Sequence, residues 1–598
     1  MTFIQNIQAA AINSLKEIFN EDFTEKDFQV NETKPEFTGD YTIVLFALVK
    51  TLKVSPEKLG TALGEHLIKK NSEFFSGFNV IKGFLNLEIA SNQLTGLLNE
   101  HYASEAFAKN TSGPHKKIMV EYSSPNTNKP LHLGHLRNNF IGWSVAEILK
   151  ANGNDVIKSS IVNDRGIHIC KSMIAWEMFA NGATPQSTNQ KGDHLVGEYY
   201  VQFNNEYKKQ VEELIAGGLT KEQAEKEAPI MLKTQQMLLD WEQGKPEVID
   251  LWKKMNAWVY KGFDETYKRI GCDFDHTYYE SNTYLLGKDI VQEGLEKNIL
   301  FKKDDGSIWI DLSEEKLGEK LLQRADGTSV YMTQDIGLAK QKFEEYHLDK
   351  SIYVIGDEQL HHMKVLKETL RKLGFPFADE IFHLSYGMVE LTTGKMKSRE
   401  GTVVDADDIV HEMIETAAKH TEELGKVKDF TEAELKELYE ILGLGAMKFY
   451  LLRVDPKKRM VFNPEESIDF HGFTGPFVQY TYARIQSILR KVKGEGNDIN
   501  ATETLEPNAL LPLERELIIT LEKYNNAIQD AAKEMTPAVI ANYVYHLAKL
   551  FNSFYSEHSV ANAENEEKKQ LRVRLSVMTA NVIKSALHLL GIKVPDRM

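Results

Sequence analysis

The stretch 118-IMVEYSSPNTNKPLHLGHLRNNFIGWSVAEILKANG-153 decides the architecture. Residues 118–124 alternate apolar and polar side chains as a strand does, and PNTNKP (125–130) is a polar turn. From Gly134 the run GHLRNNFIGWSVAEILKANG reads as a helix that Gly153 closes. DVIKSSIVND (155–164) then reads as another strand. Strand, loop, helix, strand in this order is a βαβ unit with parallel strands. A second unit follows, with SIYVIGD (351–357) as its strand and EQLHHMKVLKETLRKLG (358–374) as its helix. Together they predict an α/β, Rossmann-like domain built on a parallel sheet.

The text between the units, about 175–280, is charged and helical (YVQFNNEYKKQVEELI, APIMLKTQQMLLDWEQG) and reads as an insertion between two halves of a doubly wound sheet. Upstream, a helix, a loop (NETKPEFTGDY, 31–41) and a strand (GFLNLEIA, 83–90) suggest a small α+β domain. It ends at the polar linker KNTSGPHKK (109–117). From about 460 strand signals vanish and four amphipathic helical segments follow, at 474–494, 513–535, 536–560 and 568–592. The expected division is 1–112, 113–460 and an all-α domain at 461–598.

The 598-residue chain is too long for one core, and its 42% hydrophobic and 26% charged composition is that of a globular protein. A net charge of -16 argues against a uniformly basic coat, while leaving room for a local basic face. Two cysteines, Cys170 and Cys272, exclude a disulfide framework and a Cys-rich zinc module, which suits a reducing compartment. The longest strongly apolar run, YTIVLFALV (41–49), is far short of a membrane span, and the N-terminus has no signal-like leader. These features predict a cytoplasmic chain without a membrane partner.

His132 and His135 flank Leu133-Gly134 at a strand-to-helix turn, with Lys129 just upstream. In an open parallel sheet ligands bind at the carboxyl ends of the strands, and a helix start offers free N–H groups to phosphate. Gly134 leaves room for a nucleotide, and the imidazoles suit hydrogen-bond donation to charge developing on phosphorus. A metal reading lacks a third ligand: HEMIE (411–415) has no second histidine at zinc-protease spacing, so no metal is expected. Taken alone the turn could also be a packing feature.

EYSSPNTNKPLHLGHLRNN (121–139) resembles the HIGH signature of class I aminoacyl-tRNA synthetases, and its flanks resemble the arginyl-tRNA synthetase family. Further stretches agree in order: VNDRGIH (162–168), GDHLVGEYY (192–200), RADGTSVYMTQDIG (324–337), YVIGDEQLHH (353–362), KMKSREGTVV (395–404), TGPFVQYTYARI (474–485), LFNSFYSE (550–557) and VPDRM (594–598). The resemblance implies an arginine–tRNA ligase that makes arginyl-adenylate from L-arginine and ATP and transfers arginine to tRNA(Arg), with adenylation dependent on tRNA. ATP would enter with Mg2+, with no zinc, no organic cofactor and no β-rich editing domain. The chain is expected to be a monomer.

On this resemblance His132, Gly134, His135, Lys129, Lys395, Lys397 and Arg399 serve the ATP phosphates. The mobile second signature of the class departs from its pattern at 395–401. It reads KMKSREG, with Ser398 where a lysine is usual and Lys397 and Arg399 one step to either side, so Lys129 is expected to take over. Arginine would meet Glu121, Asn126, His132, Tyr331, Asp335 and Gln359. Tyr331 and Asp335, four apart, share one face of a helix, and a carboxylate beside an aromatic wall suits a planar guanidinium. Asn163, Asp164, Gly356 and Asp357 would line the site from strand ends, whereas His361-His362 reads as capping and packing. Contacts to tRNA map onto Phe37 and Tyr41 near the N-terminus, and onto Phe477, Gln479, Tyr480, Arg484, Tyr555 and Met598 near the anticodon. Aromatics interleaved with bases stack on unpaired nucleotides. Phe477 stands where the family has tyrosine, so stacking survives there without a hydroxyl contact.

Overall fold

The computed structural model describes residues 2–34, 36–105, 107–108, 115–391, 404–423, 429–494, 505 and 510–598. Lys395, Lys397 and Arg399 lie outside the described residues.

The N-terminal unit runs α1 (Phe3–Phe19), β1 (Val30–Glu32), β2 (Tyr41–Val44), α2 (Phe46–Leu52), α3 (Pro56–Lys70), β3 (Phe75–Ile81), β4 (Phe84–Ile89) and α4 (Ser91–His101). Its strands pair antiparallel in the order β1-β2-β4-β3.

The central unit opens with β5 (Lys117–Glu121), α5 (Leu133–Ala151), β6 (Asp155–Val162) and α6 (Ile167–Phe179). A helical insertion follows: α7 (Pro185–Thr188), α8 (Gly192–Ala216), α9 (Lys221–Glu227), α10 (Pro229–Glu242) and α11 (Pro246–Ile270). Then come β7 (His276–Tyr279), α12 (Glu280–Thr283), α13 (Lys288–Glu296) and an antiparallel meander of β8 (Leu300–Lys302), β9 (Ile308–Leu312) and β10 (Gly318–Gln323). α14 (Tyr331–Tyr346), β11 (Lys350–Gly356), α15 (Leu360–Lys372) and β12 (Ile381–Tyr386) complete the nucleotide-fold topology. The main sheet is fully parallel with order β12-β11-β5-β6-β7. The chain leaves β5 toward β6 and β7, then returns to β11 on the other side. The topological switch therefore lies between β5 and β11, and the His132 turn follows β5 directly. β7 falls within the stretch that the sequence presents as helical insertion; it is a four-residue edge strand, too short to show a period.

Helix α5 is buried on both sides, so its sequence carries no amphipathic pattern. On the sheet side Gly142 lies against Tyr122, where a Cβ would come within 2.3 Å of that side chain. On the other side Ser144 Oγ donates to the Leu589 carbonyl at 2.6 Å. Beyond the sheet lie β13 (Val389–Leu391), α16 (Ala406–Glu423), α17 (Glu432–Leu452), β14 (Met460–Phe462) and α18 (Pro464–Ser467), with β13 and β14 paired in parallel.

The C-terminal unit is helical: α19 (Gly475–Gly494), α20 (Pro512–Glu522), α21 (Tyr524–Glu534), α22 (Ala538–Glu557) and α23 (Glu566–Leu589). The segment expected as one helix at 513–535 is two, broken at Lys523. Beside the break, Glu522 turns to the N-terminal unit and accepts from Phe3 N (2.7 Å) and the Tyr41 hydroxyl (3.1 Å). Arg515 grips Asp40 with two donors, Nε at 2.8 Å and a second guanidinium nitrogen, and also donates to the Ile89 carbonyl. These bonds seat the N-terminal unit on the helical bundle. No helix of the described residues is long and apolar enough to cross a membrane.

Two sequence expectations for RNA contact change here. Tyr41 is fully buried under Glu522, so it is an interface residue and cannot present its ring to tRNA. Gln479 is also fully buried, donating to the carbonyls of Ile441 (3.1 Å) and Lys593 (2.7 Å). A helix that packs on both sides turns an apparently surface-facing polar residue into a cross-link. The others are at least partly accessible. Phe37 is half-buried, Phe477 packs on Tyr545, and Arg484 lies over Tyr480 while donating to Asn552. Tyr555 is 37% exposed, and Met598 is half-buried at the chain end.

Candidate active site

At the carboxyl end of β5 the chain turns sharply. Ser123 adopts φ +61°, a conformation a non-glycine residue holds only under restraint. The restraint is visible: its amide donates to Asn138 Oδ1 at 2.7 Å and its hydroxyl meets the Tyr267 hydroxyl at 2.7 Å. Asn138 Nδ2 in turn donates to the Val354 carbonyl at 2.6 Å, tying the ends of β5 and β11 together across the switch point. Arg137, without any exposed surface, donates to the carbonyls of Met388, Pro456 and Lys458. Both residues sit in the motif stretch, but only the folded structure shows what they hold.

His132 is the N-cap of α5. Its Nδ1 accepts from Gly134 N (3.1 Å), while its own amide donates to His135 Nδ1 (3.1 Å). Each ring thus uses Nδ1 as an acceptor and carries its proton on Nε2. Burial, with Lys129 adding to it, pushes His132 down to about 4. Burial also pushes His135 well below its ordinary range, with His132 and Lys129 contributing. The pair is neutral at physiological pH, its rings 3.9 Å apart, and supplies two N–H donors without a charge that would need solvation. Gly134 spares this arrangement a crowded contact: a Cβ there would come within 3.0 Å of the His132 ring and push it.

Beside the turn opens a cavity of about 470 Å³, within the range of small-molecule sites. Asn126, Asn163, Tyr331, Asp335 and Gln359 line it, together with Glu280, His362, Arg165 and His168. Backbone pairing holds its floor, with Thr127 N donating to the Asn163 carbonyl and Asn163 N to that of Pro125. Tyr331 is 71% exposed at the first position of α14, and Asp335 follows one turn later.

Asp335 already has a partner. His362 Nε2 lies 2.6 Å from its carboxylate, and this hydrogen bond raises the His362 pKa although burial opposes it. His362 therefore belongs to the cavity and not merely to the packing of α15. Glu280 was not legible as a site residue; it stands at the carboxyl end of the short strand β7. Burial raises it to about 7; Arg165 opposes the rise, and Asp164 and Asp335 reinforce it. Two carboxylates in one cavity, one of them held from full ionisation, make a site that gains from an entering cation.

Five expected residues do not line the cavity: Glu121, His132, Asp164, Gly356 and Asp357. Glu121 is buried and ion-paired with Lys342, whose ammonium also lies over the Tyr353 and Tyr278 rings, so its charge is spent inside the sheet. Asp164 has no exposed surface; it accepts from the Tyr260 hydroxyl (2.8 Å), Ser281 N (2.8 Å) and Ser281 Oγ (2.7 Å). Its role is to hold the backbone next to Glu280. Gly356 is buried at the end of β11, and Asp357 opens the turn after it, 3.8 Å from an Arg459 nitrogen.

Residues 97–463, more than half of the chain, match the family description "tRNA synthetases class I (R), catalytic domain". Residues 5–89 match the "Arginyl tRNA synthetase N terminal domain" and 478–598 the "DALR anticodon binding domain". The chain belongs to the arginyl-tRNA synthetase family. Curated relatives include an arginine–tRNA ligase of Bacteroides thetaiotaomicron, 52% identical with all of both chains covered. Another is that of Flavobacterium psychrophilum, 52% identical over 96% of this chain and 97% of its own. Among solved structures, the Thermus thermophilus arginyl-tRNA synthetase shares the fold, with a TM-score of 0.76 at 24% identity and 100% of both chains covered. The Plasmodium falciparum arginyl-tRNA synthetase does so at 0.77 and 19% identity, covering 100% of this chain and 99% of its own.

Proposed function

We propose that this chain activates L-arginine with ATP, giving arginyl-adenylate and pyrophosphate, and then esterifies a terminal ribose hydroxyl of tRNA(Arg) with release of AMP. The observation that carries the assignment of residues is the pairing of two cavity carboxylates, Asp335 and Glu280, beside a neutral histidine pair at the switch point.

In this reading the guanidinium enters between Asp335 and Glu280 with Tyr331 as a wall, displacing His362 from Asp335. A planar cation with five donors suits two carboxylates better than an ammonium would. Asn126 and Gln359 take the amino acid end. ATP, entering with Mg2+, lays its phosphates against His132 Nε2–H and His135 Nε2–H, with the adenosine toward Gly356 and Asp357. The arginine carboxylate attacks the α-phosphorus in line and pyrophosphate leaves. Negative charge grows on the phosphoryl oxygens, where fixed neutral donors help without reorganising. Lys129 supplies the compensating positive charge, consistent with its field at His132, His135 and His168. Lys395, Lys397 and Arg399 belong to the same reading. The helical C-terminal unit takes the anticodon side through Phe477, Tyr480, Arg484, Tyr555 and Met598, and Phe37 lies on the N-terminal unit's side. In the same proposal the chain works as a monomer, and it works in the cytoplasm, where the reducing compartment suits two buried, unpaired cysteines.

Amino acid-dependent exchange of pyrophosphate into ATP tests this. Exchange with arginine, only when tRNA(Arg) is present, is the expected result. Exchange driven by another amino acid, or none under any condition, refutes it.

A further inference from the structure

The helical insertion reaches the His132 turn through a half-buried charge cluster. Lys191 Nζ donates to Asp407 Oδ2 (2.6 Å), Asp193 Oδ2 (3.0 Å) and Thr266 Oγ1 (2.5 Å). His194 Nε2 lies 3.3 Å from Asp405 Oδ2 and 3.4 Å from Asp407 Oδ2. Asp405 and Asp407 flank the start of α16, and Asp405 Oδ1 caps that helix by accepting from Asp407 N at 2.8 Å. The same segment is zipped to the motif turn. Leu133 N donates to the Val404 carbonyl (3.1 Å), Ala406 N donates to that of Leu131 (2.9 Å), and His132 and Asp405 form a β-bridge. Helix α8 touches the turn from below as well, since a Cβ on Gly197 would come within 2.9 Å of Pro130.

Asp193, His194 and Asp407 offer ligand atoms within 4.8 Å of one another, as a metal site would. The Lys191 ammonium, however, bridges both carboxylates, so the cation position is filled from within the chain. Burial alone would discharge His194, but its contacts with Asp405, Asp407 and Asp193 outweigh that and raise it to about 10. The cluster is thus two cations among three carboxylates, joining α8, α11 and the residues at the root of α16.

We propose that Lys191, His194, Asp405 and Asp407 form an anchor that sets the position of the His132 turn, and so tune the enzyme's use of ATP without touching it. They are positioning residues, and the inference rests on ATP phosphates lying at that turn. It has no bearing on the arginine cavity, from which it predicts a separable effect.

The test compares wild type with Lys191→Met, Asp407→Asn and the double variant. Hydrogen exchange at the Leu133 and Gly134 amides is expected to rise about tenfold, with α22 and α23 unchanged. The KM for ATP is expected to rise about tenfold while that for arginine moves less than about twofold. The double variant should be no worse than the poorer single one, because the two residues act through one contact. Lys191→Arg should restore most of the loss. Thr266→Val, which removes only a hydroxyl, gives the same pattern at smaller size if the charged variants fold poorly. Unchanged exchange at the turn, or ATP and arginine KM rising together, overturns the anchor. If the variants show the hydrogen-exchange pattern but wild type does not activate arginine, the anchor stands and the functional assignment falls.

Discussion

Glu280→Gln should weaken the enzyme and stabilise it at once. The carboxylate is raised from an ordinary 4.5 to about 7, mainly by burial. A group whose folded pKa lies above its unfolded value favours folding most at low pH and loses that contribution as pH rises. For Glu280 the loss runs between about 4.5 and about 7 and amounts to about 3 kcal/mol. Glutamine carries no such penalty, so the variant should melt at higher temperature than wild type above pH 7. The gain should shrink toward zero as pH falls to about 4.5. Catalysis should move the other way. Leaving a buried guanidinium without one of its two carboxylates costs about 2–5 kcal/mol, roughly 30-fold to several thousand-fold in kcat/KM for arginine. Wild-type kcat/KM for arginine should also climb with pH as Glu280 ionises near 7, and that titration should be missing from the variant. Thermal melts from pH 5 to pH 8.5 and pyrophosphate exchange over the same range measure both effects. Unchanged arginine kinetics, or a melting difference independent of pH, would rule out this role for Glu280.

Lys129→Ala should lower adenylation by about 2–4 kcal/mol of transition-state stabilisation, read as kcat for exchange, with the arginine KM little changed. His362→Gln should lower the arginine KM at pH 6, because the protonated imidazole competes for Asp335; it should also remove the pH dependence that survives Glu280→Gln. Asp40→Asn should cost about 3 kcal/mol, since it strands Arg515 in a nearly buried pair (side chains 6% and 16% exposed). Thermal melts would show this as an early transition of the N-terminal unit, with arginine activation at low temperature intact.

The parts of the site that sequence reveals are those fixed by local geometry. His132 and His135 sit at a strand-to-helix turn, and Tyr331 and Asp335 share one face of a helix; both facts follow from spacing. What sequence hides is pairing across the chain. Glu121 looks like a site carboxylate until Lys342, 221 residues on, neutralises it. Asp164 looks like a strand-end ligand until Ser281 and Tyr260 consume its oxygens. Tyr41 and Gln479 carry surface chemistry yet lie under neighbouring domains, and burial of that kind has no local signal. Glu280 and His362 were missed for the converse reason. One follows a strand of four residues amid charged helices and opens the short helix α12, and the other stands in a helix where a histidine usually packs.

In the proposed site Asp335 and Glu280 receive the guanidinium together. A crystal structure with L-arginine bound tests it most directly. The guanidinium should lie between the two carboxylates, with His362 Nε2 moved away from its 2.6 Å contact with Asp335. Arginine seated elsewhere in the cavity, with the His362–Asp335 contact intact, would contradict it.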